Sequence, residues 1–342
     1  MHNTWGIVLA GGNGNRLQQF TRRLYGDERP KQYCAFTGTR SMLGHTIDRA
    51  ERVIPRNNIL TIIDRSHLRY SQIELRERPA ETVIVQPVNR DTGPGILHPL
   101  LHICRKNRDA LVAIFPSDHF ILGEERFAEI MSAALSLAGS SLQTPILLGA
   151  APDRWDTSYG WIDKGVRTED HKGMSMYQIG RFWEKPGPDL AQALYLRGCL
   201  WNTLVIIGSA MTLVQMFRQW TPQLFNQFEE IRISFGSPRA TETVKEVYSR
   251  LHPVNFSTSI LEPVADRFQV LPLSGVYWAD WGSEQQIISD CRRFGLALRK
   301  EEPAACHLHE GREFTPRQTE ALKIKYNKFT EGLAYEKNQE NR

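Results

Sequence analysis

WGIVLAGGNGNR, residues 5–16, runs a short apolar stretch into a turn carrying Gly11, Gly12 and Gly14 and closes on Arg16. Glycine lets the backbone take positive φ and approach a ligand closely, so successive N–H groups of such a turn can converge on an anion. The same residue type also serves merely to reverse a chain. Two well-known phosphate loops do not fit. The P-loop pattern G-x-x-x-x-G-K-[ST] is absent. A G-x-G-x-x-G reading from Gly12 and Gly14 meets Leu17 in place of the third glycine, and Cys34 stands about 20 residues on, where the ribose-binding acid would be sought. What is left is a glycine turn with a fixed cation, Arg16, followed by a second cation, Lys31, behind the rigid Pro30.

Along the chain, short β-rich runs (WGIVLA, NILTIID, VIVQP, LVAIFPSD, PILLGA) alternate with helical segments such as GPGILHPLLHICRK and ERFAEIMSAALSLAG. Continuous apolar strands spaced by amphipathic helices predict a parallel sheet covered on both faces, so residues 1–150 read as a doubly wound α/β layer. Ligands of such sheets collect beyond the carboxyl ends of the strands. That directs attention to Gly11–Arg16, Gln86 and Ser117-Asp118-His119. Beyond residue 155, YGWI, MSMYQIGRFWEKP and CLWNTLVIIG are strand-like and residues 210–250 mostly helical, reading as insertions that wall the same cleft. Residues 301–342 lose apolar periodicity and predict a peripheral helix or tail.

The 342 residues, 41% hydrophobic and 23% charged, suffice for one large domain or two with ample core. The most apolar stretch, LWNTLVIIGSAMTL, is broken by Asn202, Thr203 and Ser209 and falls short of the roughly 18 apolar residues of a membrane span. The N-terminal residues show no basic n-region or small-residue cleavage site, so a cytoplasmic protein is expected. Cys34, Cys104, Cys199, Cys291 and Cys306 are scattered without C-x-x-C, which suits reduced thiols and gives no zinc spacing. A net charge of +4, evenly spread, argues against nucleic acid or a membrane surface as partner and mildly favours small anions.

LAGGNGNRLQQFTRRLYGDERPKQY, residues 9–33, resembles the signature of the sugar-phosphate nucleotidyltransferases, G-x-G-[TS]-R-L-x-P-L-T followed by P-K. FPSDH (115–119), YGWI (159–162), FWEKP (182–186), LWNT (200–203) and YWADWGS (277–283) agree with that family in order. FPSDH, PKQ and QPVNRDTGPGI, similar to EPxxRNTAPAI, point to its mannose-1-phosphate guanylyltransferase branch. Asn15 replaces the usual Thr or Ser, Gln19 replaces Pro, and Thr203-Leu204 replaces Ser-Gly. The resemblance implies a Rossmann-like, GT-A-like nucleotidyltransferase domain over residues 1–300, with a nucleotide-binding half (1–150) and a sugar-phosphate-binding half (151–300). The isomerase domain that bifunctional relatives carry at the C-terminus is not expected within these residues, and a homodimer is compatible with the resemblance.

The implied reaction is attack of a sugar-1-phosphate oxygen on the α-phosphorus of GTP, giving a GDP-sugar and pyrophosphate. Two anions must be brought together, so the site needs positioning and charge neutralisation rather than a covalent nucleophile. Arg16, a permanent planar cation, is the expected triphosphate clamp, and Lys31 a point charge for the α-phosphate. With Asp118 they form the expected catalytic set. Leu9, Ala10, Gly11, Gly12, Gly14, Gln86, Gly93 and Asp118 are expected on the nucleotide, with Gln86 and Gly93 on the base. Asp118 and Asp280, each after a β-like run, are expected to hold Mg²⁺, which binds through one or two carboxylates plus phosphates. Asp280 could alternatively cap the helix beginning at GSEQQI, and His119 reads better as a packed histidine than as a ligand. On the sugar side the resemblance places Tyr159, Gly160, Glu184, Lys185 and Asn202, although Glu184-Lys185 also reads as a plain ion pair. Two other functions stay open: a UTP- or dTTP-dependent enzyme for another hexose phosphate, and a non-catalytic sensor of sugar nucleotides.

Overall fold

The computed structural model describes residues 3–171 and 173–300; the expected tail at 301–342 lies outside them. Strands β1 (Thr4–Ala10), β2 (Ile59–Asp64), β3 (Val83–Gln86), β4 (Leu111–Pro116), β5 (Phe120–Leu122) and β6 (Ile146–Ala150) fall where the β-rich runs predict them, apart from the short β5. They are followed by β7 (Gly160–His171), β8 (Met174–Glu184), β9 (Leu200–Ser209), β10 (Gln269–Pro272) and β11 (Tyr277–Ala279). Nine of them form one sheet in the order β3-β2-β1-β4-β9-β6-β10-β8-β7.

The predicted parallel layer is the run β3-β2-β1-β4, in which Leu9 pairs with both Ile62 and Pro116. The sheet as a whole is mixed, because β9 enters antiparallel between β4 and β6. β9 carries the long apolar run Leu204–Gly208, and both faces of its inner half are buried, so it suits the centre of a sheet rather than a peripheral wall. The sequence halves on either side of residue 150 therefore share one sheet. At its far end β7 pairs with β8 and also folds back onto β9 through Trp161↔Trp201, which curls the last five strands toward closure.

Apolar clusters cover both faces, one under the helices Thr92–Lys106, Ala210–Trp220 and Pro222–Ser234, the other under Met42–Glu51 and Glu124–Ser140. A third, smaller cluster joins Leu17, Phe20 and Leu24 behind the glycine turn to Phe36, Ala279 and Trp281. It ties two chain segments about 240 residues apart, and both carry expected site residues. Among the described residues no helix is long and apolar enough to cross a membrane.

Candidate active site

The glycine turn leaves β1 at its carboxyl end and is braced from behind. Gln32 Nε2 donates to the carbonyls of Ala10 (3.0 Å) and Gly12 (2.8 Å), holding two loop carbonyls inward. Gly14 sits at φ 63°, and a Cβ there would lie 2.9 Å from the Lys31 nitrogen, so only glycine lets the turn close onto Pro30-Lys31. A Cβ on Gly11 would collide with the Gln86 side-chain amide, whereas one on Gly12 would meet nothing within 4 Å. The loop faces a cleft of about 490 Å³ lined by Asn13, Gly14, Arg16, Lys31, Asp91 and Asp118, among others.

The small β5–β11 ribbon brings the two expected metal carboxylates together. Ala279 pairs with Phe120 in antiparallel register, so Asp118, just before β5, and Asp280, just after β11, emerge at the same end. Stacking of Trp281 on Phe120, with centroids 4.1 Å apart, and donation from Trp281 Nε1 to Asp290 (2.9 Å) pin that end.

Between the carboxylates lies Lys31, only 5% exposed. Its Nζ is 2.9 Å from Asp118 Oδ2 and also donates to the Asp280 carbonyl. Arg16 reaches Asp280 Oδ2 at 3.1 Å while its side chain stays 64% exposed, so the head is anchored at one edge and open to the cleft. Asp280 Oδ1 accepts from the Tyr159 hydroxyl (2.8 Å) and the Gly282 N–H (2.9 Å). Burial would push both carboxyls upward. For Asp118 the charge and hydrogen bond of Lys31 and the charge of Arg16 work against it, and for Asp280 the charges of Lys31 and Arg16 with the Tyr159 bond; both end below the ordinary carboxylate value. The pair is thus charged at neutral pH, as an oxygen site for a hard cation requires.

The alternative reading of Asp280 as a helix cap is not what the structure contains. Ser283 caps Glu284–Arg293 by accepting from the Gln286 N–H at 3.2 Å. His119 is packed as expected: its Nδ1 accepts from Trp278 Nε1 at 3.1 Å, and burial pushes its pKa down to about 4.

Glu184, at the end of β8, pairs in register with Gly160, where a Cβ would lie 2.8 Å from Glu184 Oε2. Burial raises the Glu184 carboxyl, partly offset by Lys185, whose Nζ is 3.5 Å away. Lys185 itself is mostly exposed, so the pair is half buried rather than a plain surface contact. Asn202 Oδ1 accepts the Leu204 N–H at 2.9 Å, which leaves the NH₂ end as what the side chain can offer a ligand. Asp91 faces the loop cleft and is among the charges that raise Glu184, so the two sides adjoin. Of the pair expected on the base, Gln86 is buried with Oε1 unpartnered, and the Gly93 N–H is taken by the Val254 carbonyl at 2.8 Å. Gly93 could therefore present a base only with groups other than its own N–H.

Sequence reasoning missed Gln32, Asp91 and Gly282. A Cβ on Gly282 would lie 2.8 Å from the Arg16 guanidinium, so that glycine makes room for the cation. Among the described residues, the non-glycine positions with positive φ are Asp91, Lys185, Leu204 and Trp281. Each is, or lies within two residues of, a residue named above, and such strain persists only where surrounding structure enforces it.

The family model for nucleotidyl transferases matches residues 5–290. The chain is 26% identical over 290 residues to mannose-1-phosphate guanylyltransferase 2 of Escherichia coli O157:H7, covering 82% of this chain and 58% of that protein. It is 27% identical over 283 residues to mannose-1-phosphate guanylyltransferase ManC of Salmonella typhimurium, covering 81% and 57%. The chain thus spans less than three fifths of the length of these relatives. A solved structure of a mannose-1-phosphate geranyltransferase from Thermus thermophilus shares the fold, with a TM-score of 0.71, 23% identity, and 84% of this chain and 79% of that one covered. Taken with the ordered site segments, the match over residues 5–290 shows that this chain belongs to the nucleotidyl transferase family.

Proposed function

We propose that the cleft transfers a guanylyl group from GTP to mannose-1-phosphate or a close hexose-1-phosphate, releasing pyrophosphate. The observation that carries this reading is Lys31, buried between Asp118 and the Asp280 carbonyl, with Arg16 at the open edge beside the glycine turn. A non-catalytic sensor has no need of four converging charges. In the reaction a phosphate oxygen of the hexose-1-phosphate bonds to the α-phosphorus, the bond from that phosphorus to the bridging oxygen breaks, and pyrophosphate leaves. Arg16 grips the departing phosphates with its exposed head, and Lys31 offsets charge near the α-phosphate. Glu184 and the Asn202 NH₂ read sugar hydroxyls from the other wall.

Asp118 and Asp280 fit Mg²⁺, being hard oxygen donors held charged at the end of one ribbon. They would hold the ion together with substrate phosphates and water. When bound, it supplies charge neutralisation to the phosphates. A cytoplasmic location suits these substrates.

Pyrophosphate release by the purified chain across GTP, ATP, UTP and dTTP with a panel of hexose-1-phosphates tests the assignment. GTP is expected to be preferred by at least roughly tenfold, because a purine donor or acceptor left unpaired costs about 1–3 kcal/mol. Equal turnover of UTP and GTP overturns the guanylyl assignment and leaves the reaction class standing.

The glycine turn gives a second test. Gly12→Ala should leave thermal stability unchanged, since its Cβ meets nothing, yet weaken triphosphate binding by crowding the approach. Gly14→Ala, at positive φ and against the Lys31 backbone, should destabilise by about 1–2 kcal/mol for the left-handed backbone alone. Thermal melts with calorimetric titration of GTP separate the two. A Gly12→Ala protein that binds GTP normally means the turn is no phosphate cradle.

A further inference from the structure

The Tyr159 hydroxyl, expected on the sugar side, is engaged elsewhere. We infer that Tyr159 is a positioning residue for Asp280, fixing which carboxylate oxygen faces the cleft; this rests on the nucleotidyl-transfer reading above. Asp280 Oδ1 accepts from Tyr159 Oη at 2.8 Å and from the Gly282 N–H at 2.9 Å, so Oδ2 is turned toward Arg16 at 3.1 Å. With either donor gone, the carboxylate can rotate about its last bond and present both oxygens unequally.

Tyr159 is suited to hold that angle because it cannot itself turn. It is 6% exposed, its ring lies 4.6 Å from Trp201 and 5.5 Å from Trp278 by centroids, and Arg154 Nη2 approaches its hydroxyl at 3.5 Å. Arg154 is fixed in turn by Asp156 at 3.0 Å and lies over the Trp201 ring. Trp278 donates to His119, the neighbour of Asp118, so the same aromatic wall backs both carboxylates. Tyr159 also directly precedes Gly160, the start of β7 on the sugar side. The phenol therefore links the start of the sugar-side strand to Asp280.

Tyr159→Phe, Asn202→Ala and the double variant Tyr159→Phe/Asp280→Asn separate this role from a sugar contact. Mn²⁺ binding is read from the free-ion electron paramagnetic resonance signal in the presence of the non-transferable analogue α,β-methylene-GTP, with far-UV spectra confirming the fold. Tyr159→Phe is expected to weaken Mn²⁺ binding about tenfold, the scale of one hydrogen bond to a charged group, and Asn202→Ala to leave it unchanged. In the Asp280→Asn background the phenylalanine should add nothing. In turnover, kcat should fall about tenfold with the KM for hexose-1-phosphate within twofold. Unchanged Mn²⁺ binding in Tyr159→Phe, a KM rise without a kcat loss, or no Mn²⁺ bound by the unaltered chain each overturns the inference. Should the unaltered chain bind Mn²⁺ yet transfer nothing, the functional reading fails while the ion-binding comparison still decides the role of Tyr159.

Discussion

Asp118→Asn and Asp280→Asn are each expected to lower kcat/KM by about 100-fold or more, the scale of losing one major electrostatic stabiliser. Asparagine keeps the size and part of the hydrogen bonding: at 280 its Oδ1 can still accept from Tyr159 and Gly282. What it removes is charge, at the place where Lys31 and Arg16 hold the carboxylates ionised. The double variant should lose far less than the product of the single losses, since groups serving one charge assembly are not independent. Steady-state kinetics on all three, with far-UV spectra to confirm folding, checks this. Losses that multiply cleanly, or near-full activity of either variant at low Mg²⁺, contradict a shared role.

Lys31→Met should be as damaging to turnover, about 100-fold or more, and should also change the acid response. Methionine fills the same channel without the ammonium, so Asp118 loses the partner at 2.9 Å and Asp280 loses a donor to its carbonyl. Breaking a buried pair costs roughly 3–5 kcal/mol when both ions are dry. Asp118 is 38% exposed, and solvent screening reduces the expected stability loss to about 1–2 kcal/mol. The sign of the pH effect follows from the lowered carboxyls. A group whose folded pKa lies below its unfolded value stabilises the fold above the unfolded value and loses that contribution as pH falls through the folded one. Without Lys31 both carboxyls move up toward their unfolded values, so the acid loss of activity should begin at higher pH, while the stability these two carboxylates contribute, and with it the part lost on acidification, should shrink. Melting temperatures and kcat/KM profiles from pH 4 to 8 measure it. An unshifted acid limb would mean that Lys31 does not set the charge state of the pair.

Much of this site could be read from the chain because the elements that build it announce themselves locally. The apolar run leading into Gly11-Gly12 is β1, the FPSDH segment closes β4 and the PK pair lies between β1 and β2, and a parallel layer holding β1 and β4 follows from βαβ grammar. Proximity of Asp280 to Asp118 was legible only through the family resemblance. Its physical cause is a three-residue ribbon, β5 on β11, joining segments about 160 residues apart, and no local pattern encodes such a pairing. The place of β9 was likewise hidden, since LVIIG reads as a buried strand in any sheet position and its direction depends on the connections around it. The resemblance places Tyr159 on the sugar side, and no local pattern foretells the bond of its hydroxyl to Asp280. Which way a side chain at a strand entrance points is decided by Trp201 and Trp278, which reach it from other strands.

The fate of the α-phosphate of GTP decides whether this cleft transfers a nucleotidyl group. Incubating the chain with Mg²⁺, mannose-1-phosphate and GTP labelled at the α-phosphorus, then resolving the products, follows that atom. The predicted result is label in a single nucleotide-sugar product, formed in equal amount with unlabelled pyrophosphate and abolished in Asp118→Asn. Label that remains in GTP, or appears only in GDP or GMP whatever hexose-1-phosphate is supplied, would contradict it.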